Sequence, residues 1–409
     1  MKLFHILATL LTASAVFSYI NHRFLKLPTV IGIMLVALLF SLMLNLLGPI
    51  GLLLEQDVEV MLASIDFDET LLHGMLSFLL FAGALHVNLN DLAQQRGIIF
   101  ILATFGVIGA TFIIGILSWY GFAVIGLNVP FVYCLLFGAL ISPTDPIAVL
   151  GILKQSNAPK SLEAKIAGES LFNDGVAVVM FLVIARIAAG GTDMSAGDVL
   201  LIFSQEAIGG ILFGLGAGGL TYWMLKSVDN YQVEVLLTLA LVTGGYTLAE
   251  ALHLSAPIAI VVAGLLIGNH GRVLAMSQKT REHLDTFWEL VDEILNAVLF
   301  VLIGLEVLVL VFIQEYLLAG LLAIPIVLLA RFITVGVPIT IMRRFRDFTP
   351  KAIQVLTWGG LRGGISVALA LSLPAGEMRD TLVAVTYAVV VFSILVQGLT
   401  IGPLIRSIK

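Results

Sequence analysis

Ile141-Ser142-Pro143-Thr144-Asp145-Pro146 interrupts an apolar run that extends over 129–153, and this interruption decides the fold. Pro143 and Pro146 each remove a backbone donor and bar helical geometry in the residue before, so Thr144-Asp145 is predicted to be an unwound link between two half-helices. A second interruption, Gly359-Gly360-Leu361-Arg362-Gly363-Gly364, sits inside a run over 350–373. Paired glycines in the middle of a helix make unwinding cheap there.

Around these breaks the chain is apolar from end to end. Of 409 residues, 59% are hydrophobic and 12% charged, and the mean hydropathy of +1.08 is far above that of a water-soluble domain. Runs long enough to span hydrocarbon fall near 4–20, 24–47, 69–87, 97–120, 129–153, 162–186, 197–225, 232–251, 254–269, 284–309, 313–341, 350–373 and 381–405, thirteen in all. An all-α polytopic membrane protein forming one membrane domain over 1–409 is expected. The single Cys134 excludes an internal disulfide, no Cys and His spacing suggests a structural metal, and no cofactor is implied. A net charge of −6 without a long basic tract excludes nucleic acid as a partner, leaving the lipid bilayer as the surroundings.

Basic residues set the orientation. With the N-terminus outside, sixteen Lys and Arg fall on the inner side, among them Arg23, Lys26, Arg96, Arg343, Arg344 and Arg346, against Lys2, Arg186 and Arg379 outside. The C-terminus is then cytoplasmic. The first 20 residues resemble a signal peptide, but the charges of Arg23 and Lys26 after the run favour a retained helix. The outer loop 51–70 holds six acids. It reads as a solvated acidic loop, with concentration of cations near an entrance as the second reading.

Ionisable residues inside the spans carry the function, because a charge at bilayer depth persists only when it is paired or lines a watery path. Asp145 lies in the fifth span, and Glu169 and Asp174 lie in the sixth, within Gly168-Glu169-Ser170-Leu171-Phe172-Asn173-Asp174-Gly175. Arg331 in the eleventh span and Arg362 in the twelfth reach a similar depth of about 16 to 18 Å. A purely structural network would pair these charges, yet three acids face two cations, so at least one carboxylate is left over. Arg362 is expected to be partly structural. Division of the spans into six, a linker and six makes the broken ones fifth in each half, and the halves have opposite topology. Interrupted helices at matching positions of inverted repeats point to a transport site at the midplane, which marks a carrier and not an enzyme.

Ser170 and Asp174 are four residues apart and share a helical face, with Asn173 and Glu169 beside it. Oxygens of Asp174, Ser170, Asp145 and the freed Thr144 carbonyl are hard ligands suited to Na⁺ or a similar ion. A desolvated aspartate holds either a proton or a metal ion, and competition at one carboxylate is exchange. His86 reads as an interfacial residue, with pH sensing as the second reading. Gly210, Gly214 and Gly218 form a small-residue stripe that permits close helix contact. Asp292, Glu293, Asn296 and Glu306 in the tenth span are gate or network candidates. A membrane aspartyl protease would need its two aspartates on intact helices within Tyr-Asp and Gly-x-Gly-Asp, whereas the Gly-Asp here, Gly197-Asp198, is expected at a loop. A channel would need a symmetric pore lining. A K⁺/H⁺ antiporter of the same fold, or an organic-anion symporter on a related one, are the remaining rivals.

The chain resembles the NhaP/NHE-type branch of the cation:proton antiporter superfamily. The likeness rests on Thr144-Asp145-Pro146, the Gly168–Asp174 stretch, Phe300-Val301-Leu302-Ile303-Gly304-Leu305 and Gly359-Gly360-Leu361-Arg362-Gly363-Gly364. It implies an NhaA-like fold with helices 5 and 12 crossing at the midplane. It further implies a homodimer in which a core bundle around spans 3–6 and 10–13 moves against a scaffold around spans 1–2 and 7–9. By the resemblance, Asp174 binds the ion with Ser170, Asp145 and the Thr144 backbone assisting, Arg331 pairs with Glu169 near Asn173, and exchange in the bacterial inner membrane is one-for-one. Many relatives place an acidic ligand in span 3, where this chain reads Leu80-Phe81-Ala82-Gly83, so the choice among Na⁺, Li⁺ and K⁺ stays open.

Overall fold

The computed structural model describes residues 3–46, 74–155, 159–190, 196–271, 276–308, 310, 313–346 and 348–407. In chain order the helices are α1 (Leu3–Ile20), α2 (Thr29–Leu46), α3 (Leu76–His86), α4 (Leu89–Val124), α5 (Phe131–Ile141), α6 (Ile147–Gln155), α7 (Lys160–Ala188) and α8 (Ala196–Lys226). They are followed by α9 (Tyr231–Ala251), α10 (Ala256–Leu266), α11 (Gln278–Glu306), α12 (Gln314–Met342), α13 (Ala352–Trp358), α14 (Gly364–Leu371) and α15 (Glu377–Arg406). Seven of these, α1, α4, α7, α8, α9, α12 and α15, are long and apolar enough to cross a membrane, counted among the described residues. The protein is a multi-pass membrane protein. The acidic loop 51–70 and the start of the third span, 69–73, lie outside the described residues.

Most helix ends fall near the ends of the apolar runs. The fourth differs: the run begins at 97, whereas α4 begins at Leu89. Asn88 explains this, since its side chain accepts from Asn90 N at 2.8 Å and starts a polar, amphipathic first turn that hydropathy alone passes over. Gly197-Asp198, expected at a loop, instead lies in the first turn of α8.

Apolar packing sets the frame around the two breaks. Phe300, Val301 and Leu302 on α11 are fully buried, and Ser41 of α2 donates to the carbonyl of Gly304 at 3.0 Å. The stripe Gly210, Gly214 and Gly218 closes on α10, where a side chain at Gly214 would meet the backbone of Ala259. Long helices α4, α7, α12 and α15 are among those that pack on the four half-helices α5, α6, α13 and α14. The fold therefore holds two non-helical links in its interior, at a depth where unpaired backbone groups are strongly disfavoured.

Candidate functional site

The two links meet. Asp145 N donates to Leu361 O at 2.8 Å, the antiparallel bridge that joins one break to the other. The C-terminal end of α5 exposes the carbonyls of Ser142 and Pro143, and Arg362 reaches across from the second break to donate Nη1 to both, the second at 2.9 Å. A buried guanidinium at a helix C-terminus offsets the negative end of that helix. Asp145 does the converse at α6, where its Oδ1 accepts from Ile147 N at 2.9 Å. A side chain at Gly363 would overlap the Asp145 carboxyl group, so glycine there lets the start of α14 approach that carboxylate.

A neighbouring helix braces each link. From α7, Asn173 Nδ2 donates to Thr144 Oγ1 at 2.8 Å, and the hydroxyls of Thr144 and Ser170 lie 2.9 Å apart. From α15, the Ser393 hydroxyl accepts from Arg362 N at 2.9 Å, and Gln397 Nε2 donates to Trp358 O at 2.9 Å, at the end of α13. Ser393 and Gln397 escaped the reading of the sequence. The signal was present, since they are polar residues four apart inside the largely apolar run 381–405.

Glu169 and Arg331 form a two-toothed ion pair, with Nη1 on Oε1 and Nη2 on Oε2 at 3.0 Å. Arg331 Nε also donates to Leu356 O at 3.2 Å, and a side chain at Gly360 would meet the guanidinium at 2.6 Å. Arg331 therefore ties α7 and α12 to the end of α13. Arg362 forms no salt bridge with Glu169 among the described residues, and its Nη1 is turned to the carbonyls of the first break.

With Arg331 on Glu169 and Arg362 on carbonyls, two carboxylates are left without a cation. Among the described residues neither Asp145 nor Asp174 has a salt bridge, and no hydrogen bond reaches the Asp174 side chain, which is 7% exposed. The two lie within electrostatic reach of each other. Ser170, 2% exposed, shares the Asp174 face of α7. The Thr144 carbonyl receives no donor among the described residues. The result is a small set of hard oxygens in a dry interior, with no cluster of three or more His, Cys, Asp or Glu among the described residues that would fix a resident metal. Such a set suits a cation held briefly. Ala82 is buried at 1% within an apolar cluster, so α3 supplies no carboxylate at that position.

Residues 11–407 match the family described as the transmembrane sodium/hydrogen exchanger. The chain belongs to that family. It is 53% identical over 408 residues to the Na(+)/H(+) antiporter NhaP of Pseudomonas aeruginosa, covering 98% of this chain and 96% of that protein. It is 35% identical over 398 residues to the Na(+)/H(+) antiporter NhaH of Halobacillus dabanensis, covering 94% of this chain and 93% of that protein. Its fold matches that of the sodium proton antiporter MjNhaP1 from Methanocaldococcus jannaschii, with a TM-score of 0.77 over 99% of each chain at 20% identity. The family is one of transporters, and this member shares its fold from end to end.

Proposed function

We propose that the chain exchanges Na⁺ for H⁺ as a secondary antiporter working by alternating access. The observation that carries this reading is Asp174: buried, without a hydrogen bond or a cation among the described residues, beside an unwound link and the Ser170 hydroxyl. A carboxylate in that position takes either a proton or a metal ion, and occupancy by one excludes the other. Ser170, Asp145 and the Thr144 carbonyl complete the oxygens around the ion, while Glu169, Arg331, Arg362 and Asn173 hold the framework. Exchange is one-for-one, since Asn173, the residue before Asp174, brings no second titratable charge. The names of the relatives favour Na⁺ over K⁺.

In the same reading the chain crosses the bacterial inner membrane thirteen times, N-terminus outside and C-terminus in the cytoplasm. Two inverted six-helix repeats contribute one broken helix each. The paired braces support this: the first link is held by α7, the helix after the broken pair α5 and α6, and the second by α15, the helix after the broken pair α13 and α14. A core built on spans 3–6 and 10–13 moves against a scaffold of spans 1–2 and 7–9 within a homodimer. The test is purified protein in proteoliposomes with an internal pH dye, challenged in turn with Na⁺, Li⁺ and K⁺. Dequenching by Na⁺, with Li⁺ next, is expected. A response to K⁺ alone, or a steady-state ion distribution that follows an imposed membrane potential, overturns the cation or the stoichiometry.

A further inference from the structure

Helix α11 changes character along its length. Its Leu299–Leu305 stretch is buried and apolar, whereas the part before it carries Glu282, Asp285, Glu289, Asp292 and Asn296 at spacings of three and four, which place them on one face. Leu299 packs against Gly364, the first residue of α14, and so marks the level of the crossing. Asp292 precedes Leu299 by seven residues, about 10 Å at the rise of an α-helix. The acidic face thus descends from the N-terminus of α11 to the edge of the crossing.

The residues along this face differ. Glu289 and Glu293 are exposed, as a solvated face requires. Asp292 is half-buried, within electrostatic reach of Asp145, and has no salt bridge among the described residues. Beyond it Asn296 is 3% exposed. The Asn296 amide donates Nδ2 to the Asp292 carbonyl at 2.9 Å and lies against the Asp292 carboxylate. Its Oδ1 is buried with no hydrogen-bond partner. A buried amide oxygen without a donor is unfavourable by about 1–3 kcal/mol, so a cation that reaches it gains a ligand that no protein group competes for among the described residues. The Asp292 carboxylate and the Asn296 Oδ1, which belongs to the amide whose nitrogen meets Asp292, are hard oxygens one helical turn apart, and the partial exposure of Asp292 lets water supply the rest of a cation's shell.

We propose that Asp292 and the Asn296 Oδ1 form a staging site that holds a partly hydrated monovalent cation just before it reaches Asp174. The site serves only the side of the crossing that α11's N-terminus faces, the cytoplasmic side in the orientation proposed above. It rests on the exchange reading and adds a residue-level step to it. A cation at Asp292 is drawn on by the charge at Asp145, and removal of the last hydration waters is divided between two positions.

The test compares Na⁺ exchange in right-side-out and everted vesicles, which present opposite faces to the added Na⁺. Asp292→Asn is expected to raise the apparent KM for Na⁺ about fivefold from the α11 N-terminal face, the effect of losing about 1 kcal/mol of attraction. From the other face KM and the maximal rate should stay at wild-type values. Asp292→Glu should restore the KM, and Glu282→Gln, at the exposed outer end of the face, should leave it unchanged. A KM altered equally from both faces, or from neither, overturns the staging site. If Asp292→Asn fails to reach the membrane, Asn296→Ala read in the same two-sided way decides. Wild-type vesicles without Na⁺-driven proton movement would overturn the exchange reading itself, whereas active wild type with an unaltered Asp292→Asn overturns only the staging site.

Discussion

The two interrupted helices solve one problem with opposite chemistry. The first break is made by prolines and carries an acid, with Asp145 at the start of α6. The second is made by glycines and carries a base, with Arg362 reaching the end of α5. Prolines impose the unwinding whatever surrounds them, whereas glycines only permit it and rely on Ser393 and Gln397 to hold the strand. The basic break spends its charge on carbonyls of the acidic break. The acidic break keeps its carboxylate unpaired, next to a second unpaired one at Asp174. A cation is thus drawn to one side of a crossing whose other side is electrostatically satisfied.

That contrast is broken most severely at Asp174. Asp174→Asn is expected to abolish exchange, leaving pH-dye dequenching below a tenth of wild type, since no other group on the Ser170 face swaps a proton for a cation. Retention above that level would move the ion site elsewhere in the crossing.

The next largest effect concerns the framework, not the ion. Glu169→Gln or Arg331→Gln alone leaves a buried charge without its partner and is expected to remove about 3–5 kcal/mol of stability, read as melting temperature in detergent. Replacing both by apolar residues of similar volume should recover much of the loss, because the desolvation penalty goes with the charges. Glu169→Gln with Arg362→Gln should give no rescue, since Arg362 serves the carbonyls of Ser142 and Pro143. Equal loss in both double variants would dissolve the distinction between the two arginines.

Arg362→Gln by itself strips charged donors from two buried carbonyls and is expected to be unfavourable by about 1.5–3 kcal/mol. Lysine at this position should recover only part of it, since an ammonium is more strongly hydrated than a guanidinium and is costlier to bury. Complete recovery by lysine would mean that charge alone matters at the end of α5.

The smallest effect sharpens the contrast between imposed and permitted unwinding. Ser393→Ala and Gln397→Ala each remove one neutral hydrogen bond from the glycine break, expected at about 1 kcal/mol apiece. The matching changes at the proline break, Ser170→Ala and Asn173→Ala, should alter the apparent KM for Na⁺ more than the melting temperature. The same balance of effects on both sides would mean that the two links are held alike.

Much of this site was legible in the residues themselves. Pro143 and Pro146 dictate an unwound Thr144-Asp145 by covalent geometry alone, and the α5–α6 gap falls where they require it. The glycine pairs located the second gap for a related reason. The surplus of acids over arginines was also readable: at least one carboxylate was expected to lack a cation, and both Asp145 and Asp174 lack one among the described residues. The start of α4 was misplaced because Asn88 acts through a side-chain cap, which carries no hydropathy.

The sequence by itself determined where the chain must leave helical geometry and which ionisable side chains are forced into the bilayer interior, because proline rings, glycine freedom and the desolvation of charge are local properties. Only the tertiary structure decided which arginine meets Glu169. Arg331 and Arg362 lie at similar depth in different helices, and the choice between them depends on which carbonyls the crossing leaves exposed. Arg362 is drawn to Ser142 and Pro143 because the Asp145–Leu361 bridge sets the two breaks side by side. Arg331 is then the guanidinium that bonds Glu169. That bridge joins residues more than 200 positions apart, and no local pattern encodes it.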